Sequence, residues 1–109
     1  MNKLDALRTI GDVITEMDVA RGSLMPDDPN RRQLDDLRAL LDDRQRRLSQ
    51  AVFDDNTQQF KDAADRLQSV NTDIRATIQD VNRIADTISS INKFLSAVTS
   101  LMTTAGLFL

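Results

Sequence analysis

From Phe60 to Leu109 the apolar residues keep a 3-4 spacing without a slip. Counting in sevens from Phe60 gives Leu67, Ile74, Val81, Ile88, Leu95, Met102 and Leu109, and the positions between them are Ala63, Val70, Thr77, Ile84, Ile91, Val98 and Ala105. Thr77 is the one polar member. A heptad sustained this far places a continuous apolar seam along one side of a helix, the pattern of coiled coils and bundles. Such a seam needs something to cover it. Its later part, Ile84, Ile88, Ile91, Leu95, Val98, Leu101, Met102, Ala105 and Phe108, is therefore the expected interaction surface.

The first half carries two shorter amphipathic patterns. From about residue 2 to residue 23, Leu4, Leu7, Ile10, Ile14, Met17 and Leu24 recur every three or four places, widened by Val13 and Ala20. Gly11 interrupts this stripe at a cost of about 1 kcal/mol relative to Ala, which a close helix approach would explain. The run Met25-Pro26-Asp27-Asp28-Pro29-Asn30 ends the first helix. A second helix is expected from about residue 29 to residue 53, with Asp28 as N-cap and Pro29 at its first position. Its apolar face is Leu34, Leu37, Leu41, Leu48, Ala51 and Val52, flanked by Leu40 and interrupted by Arg44. The arginine stem is expected either to lie on the core with its head in solvent or to meet an acid of a neighbouring helix. Asp54-Asp55-Asn56-Thr57 predicts a tight connection, with Asp55 or Asn56 capping the third helix.

These patterns predict a single all-α domain spanning residues 1–109, an antiparallel bundle of three helices with a long C-terminal one. An unbroken helix from Thr57 to Leu107 would be about 75 Å long, whereas a compact chain of this size has a radius of gyration of about 13 Å. Either the helix breaks, with Ser89 to Asn92 the expected place, or the chain is elongated and another chain covers its seam. With a break, the third helix spans about 57–91 and an uncharged fourth segment about 92–107. Lys93 is the last charged residue.

Composition narrows the chemistry. The sequence contains no His, Cys, Trp or Tyr. Imidazole and thiol catalysis, disulfides and the common zinc ligand sets are thereby removed. There is no Gly-rich phosphate loop or nucleophile elbow, so no enzyme and no cofactor are expected. The net charge of −3 lies wholly in residues 1–30, where Lys3, Arg8 and Arg21 face Asp5, Asp12, Glu16, Asp18, Asp27 and Asp28. The doublets Asp35-Asp36 and Asp42-Asp43 are matched at helical spacing by Arg31, Arg32, Arg46 and Arg47, which predicts a solvated ion-pair face and not a metal site. Arg44, Arg46 and Arg47 are similarly offset by aspartates and lack aromatic neighbours for stacking bases, so nucleic acid is not an expected partner. An excess of Arg over Lys and of Asp over Glu is the usage associated with GC-rich bacterial genomes. No basic stretch followed by an apolar run opens the chain, which places it in the cytoplasm.

The expected function is that of a non-catalytic helical interaction module, self-associating or docking a partner protein through the seam and the uncharged C-terminal helix. Two alternatives stand beside it. A small acidic inhibitor of a toxin or enzyme, of the immunity-protein or antitoxin type, would use the acidic first region against a basic surface. A membrane-associated protein would use Phe94 to Leu109, although a span wants about 20 apolar residues and this stretch contains Ser96, Thr99, Ser100, Thr103 and Thr104.

Overall fold

A computed structural model describes residues 1–107. They form four α-helices: α1 (Lys3–Gly22), α2 (Pro29–Gln50), α3 (Gln58–Thr77) and α4 (Ile84–Thr104), with a 3-10 turn at Val81–Arg83 leading into α4. Local chemistry sets the starts. Asn2 caps α1 in a reciprocal capping box with Asp5, and Asp28 caps α2 ahead of Pro29. The cap of α3 is Thr57, whose hydroxyl accepts from the Phe60 N–H, and not Asp55 or Asn56. Asp55 is engaged elsewhere, accepting from the Lys3 N–H at 2.8 Å, and the Asn56 N–H turns back onto Asp54.

The long C-terminal pattern does break, at Ile78 to Asp80 and not at Ser89 to Asn92. Asp80 caps the 3-10 turn by accepting from the Asn82 N–H. Asn92 instead lies mid-helix, its side-chain amide donating to the Ile88 carbonyl one turn back at 3.0 Å. Thr99, Thr103 and Thr104 also donate to carbonyls of their own helix. These back-bonds satisfy the hydroxyls without solvent or a partner, so α4 runs on through the uncharged stretch. It stops at Gly106, whose φ of 77° is available to glycine without strain. The Gly106 N–H reaches the Thr103 carbonyl and the Leu107 N–H reaches that of Met102, the two bonds of a Schellman ending.

Helix α1 packs on α2 and α3, and α4 packs on α2 and α3, while the diagonal pairs barely touch. The Lys3–Asp55 bond and the Glu16–Arg75 ion pair set α1 and α3 running in the same direction. The molecule is thus two antiparallel hairpins, α1–α2 and α3–α4, laid side by side. Residues 51–57 cross the end of the bundle diagonally to join them. The result measures 42 × 22 × 17 Å with a radius of gyration of 13.9 Å.

Each helix gives one stripe to a continuous core: Ile10, Val13 and Met17 from α1, Leu34 and Leu41 from α2, Phe60, Leu67 and Ile74 from α3, and Ile91, Phe94 and Leu101 from α4. Gly11 sits at a close approach, since a Cβ there would lie 3.0 Å from the Gln45 amide nitrogen of α2. Thr77, the polar member of the seam, closes α3. Its hydroxyl lies 2.7 Å from that of Thr87, and both side chains are buried. Three positions depart from the periodic expectation. Leu4 is mostly exposed, Val52 lies beyond the end of α2 and is fully exposed, and Val81 leaves the seam at the turn.

Candidate interaction surface

The residues expected to form an interaction seam lie against this chain's own helices. Ile88, Ile91, Val98, Leu101 and Met102 are buried in the core, and Ile84, Leu95 and Ala105 are half-buried against it. Phe108 lies outside the described residues. The seam of the second hairpin is therefore part of the chain's own core.

Large apolar side chains reach solvent at both ends of the bundle. At one end are Met1, Leu4 and Val52; at the other are Val19 (71% exposed), Met25 (69%) and Val81 (47%). Val19 and Val81 of the second set border a trough between helices. A depression of about 310 Å³ separates the last turns of α1 from the end of α3, lined by Glu16, Val19, Ala20, Ser23, Ile78 and Gln79. It continues into a small recess of about 20 Å³ that shares Ala20, Ser23 and Ile78 and ends at Val81 and Ile84.

Glu16 closes the other end. Its Oε1 faces the Arg75 Nε at 3.5 Å, a loose pairing, while its Oε2 is buried and has no hydrogen-bond partner among the described residues. A carboxylate oxygen removed from water without a donor is unfavourable, and a positioned cation or N–H would relieve it. The Oδ1 of Asn71, on α3 one turn before Arg75, is also buried without a partner.

The charges of α2 differ from the expected i,i+4 pairs. Arg21 pairs with Asp35, and Arg38 pairs with Asp18 at 2.7 Å, so both bonds join α1 to α2. The antiparallel hairpin brings these side chains together, and long arginines reach across it. Of the expected intrahelical pairs, Asp43–Arg47 forms at 3.3 Å, but Arg46 turns to Asp43 at 2.9 Å instead of to Asp42. Arg44 binds the same carboxylate at 2.8 Å, so it meets an acid of its own helix and not of a neighbour. Burial favours the neutral acid at Asp43, yet the Arg44 hydrogen bond and the charges of Arg47, Arg44 and Arg46 outweigh it and hold the carboxyl below its ordinary range.

Among the described residues, no three acidic side chains gather in a geometry suited to a metal ion. No helix of that set is long and apolar enough to cross a membrane. The trough at Glu16 was not foreseen from the sequence. Its faint signal was Val19, an apolar residue off the stripe of α1. No protein-family model, curated protein or solved structure matches this chain.

Proposed function

We propose that this chain is a non-catalytic, helical protein-binding module whose docking surface is the end of the bundle where α1 finishes and α3 turns into α4. The observation that carries this reading is that exposed Val19 and Val81 line a trough between helices and the recess that continues it, at the end of the bundle where Met25 is also exposed. Exposed apolar residues scattered singly are ordinary; a group bordering a concave site is characteristic of contact surfaces. The absence of His and Cys from the sequence fits a role without nucleophilic chemistry.

A narrower version, an acidic inhibitor that covers a basic surface of a toxin or enzyme, is favoured by the confinement of the net charge of −3 to residues 1–30. These residues include α1 and the connection after it, both bordering the same end.

The test is affinity capture from the source cells, comparing the full chain with a Val19→Asp/Val81→Asp variant. Both positions are solvent-exposed, so the variant is expected to fold. A protein retained by the first and lost from the second supports the reading. Identical capture profiles, with both chains monomeric by light scattering, would sink it.

A further inference from the structure

Resting on that reading, the geometry points to a specific class of partner: a basic amphipathic helix that places an apolar side chain in the trough and a Lys or Arg beside the partly exposed Glu16 carboxylate. The apolar part of the site is Val19, Ala20, Ile78 and Val81, with the rims at Val19 and Val81 open to solvent. The polar part is Glu16, whose Oε2 is buried without a donor among the described residues. The missing chemistry is therefore a donor, and a cationic one matches the carboxylate best.

The spacing gives the partner a pattern. Asp12, Glu16 and Ala20 follow one another at i,i+4 and share a face of α1. Asp12 is exposed and makes no ion pair among the described residues. Two acids one turn apart, followed a turn later by the apolar trough, complement a helix carrying cations on successive turns and a Leu or Met beyond them. Arg75 does not satisfy the site from within. It is more than half exposed and approaches only the outer oxygen of Glu16, at 3.5 Å. The Glu16 carboxylate, 30% exposed and only loosely paired, is thus open to an incoming cation.

The probe is a fluorescein-labelled amphipathic helical peptide of Leu and Lys, titrated with the full chain and read by anisotropy, with amide NMR shifts to locate it. A Leu/Glu peptide of the same pattern is the charge-reversed control. Binding of the Leu/Lys peptide only, shifts centred on Glu16, Val19, Ser23 and Ile78 to Val81, and about tenfold weaker binding in Glu16→Gln and in Val19→Asp would support the site. Asp65→Asn removes an equal charge from an exposed position of α3 and should leave affinity unchanged.

Equal losses in Glu16→Gln and Asp65→Asn would overturn the inference, reducing the attraction to overall charge. Shifts centred on Leu4 and Val52, concentration-dependent pairing of the chain through the same trough without peptide, or binding only to anionic lipid vesicles would overturn it too. A peptide that binds nowhere, beside a captured protein still lost from Val19→Asp/Val81→Asp, would reject this partner chemistry and leave the module reading standing.

Discussion

The Thr77–Thr87 pair offers a sign test that few positions allow. Each hydroxyl is buried, the two oxygens lie 2.7 Å apart, and each has a second, weaker bond to a carbonyl of its own helix, at 3.5 Å for Thr77 and 3.3 Å for Thr87. Thr87→Val keeps the shape and removes one hydroxyl, leaving Thr77 with the marginal bond alone. A buried group left short of its partner costs about 1–3 kcal/mol, and the residual backbone bond places the loss at about 1–2 kcal/mol. Thr77→Val should do the same. Replacing both removes donor and acceptor together, so the double variant should be no less stable than either single one and more stable than their sum by about 1–2 kcal/mol. The sequence has no Trp or Tyr, so the signal is circular dichroism at the helical band during urea unfolding, with a constant slope confirming that only stability changed. Each single substitution should lower the melting temperature by roughly 5–10 °C. Strict additivity would refute the claim that these hydroxyls satisfy one another.

Ile91→Asp should unfold the chain, because Ile91 has no exposed surface and an unpaired charge there costs several kcal/mol; a folded, monomeric Ile91→Asp by circular dichroism and light scattering would mean the seam is not core. Gly106→Ala should cost about 1–2 kcal/mol in a urea titration because of the positive φ, whereas Gly22→Ala, at ordinary φ with open space around it, should add about 0.5–1 kcal/mol; equal effects would contradict the Schellman ending. Asp43 has a lowered pKa in the folded state, so the unfolded chain takes up the proton first. Its stabilising contribution is complete above the unfolded value, about 3.9, and is lost as pH falls through the lower folded one. Asp43→Asn should therefore flatten the acid limb of the stability–pH curve, and an unchanged limb would remove Asp43 from any role in it.

The starts of α1 and α2 were legible because their signals are local, whereas α2 stops at Gln50 and not at about residue 53. Asp28 with Pro29 needs only neighbouring residues to act, as does the Asn2–Asp5 capping box, which the periodicity of α1 alone did not reveal. The break between α3 and α4 was legible as a necessity of length but not in place. Ile74, Thr77, Val81 and Ile84 keep the 3-4 spacing straight through the turn, and residues 78–80 contain neither Pro nor Gly. What turns the chain is the Asp80 cap and the Thr77–Thr87 bond, the second of which depends on a fold already formed. Ser89 to Asn92 misled because a polar cluster is equally at home in a helix whose side chains bond its own carbonyls. The interhelical Arg21–Asp35 and Arg38–Asp18 pairs were hidden for a similar reason: helical spacing offered Arg31 to Asp35, and nothing within α1 pointed from Asp18 to Arg38. The trough at Glu16 depends on α1 and α3 being parallel neighbours, which no periodicity within either helix encodes.

The diagonal connection at residues 51–57 also sets the order in which contacts are expected to form. Within each hairpin the paired helices are adjacent in sequence, and the Thr77–Thr87 bond closes a loop of only ten positions. Contacts between the hairpins, such as Glu16 with Arg75, join positions much farther apart in the chain. Short loops close at lower entropic cost and faster. The α3–α4 hairpin is therefore expected in the transition state, with the parallel seam between α1 and α3 zipping afterwards. A seam that closes last is also the one whose weakening speeds unfolding while leaving refolding nearly unchanged. The trough would then sit on the most readily opened joint of the bundle, where a guest helix can wedge in while the opposite hairpin stays intact.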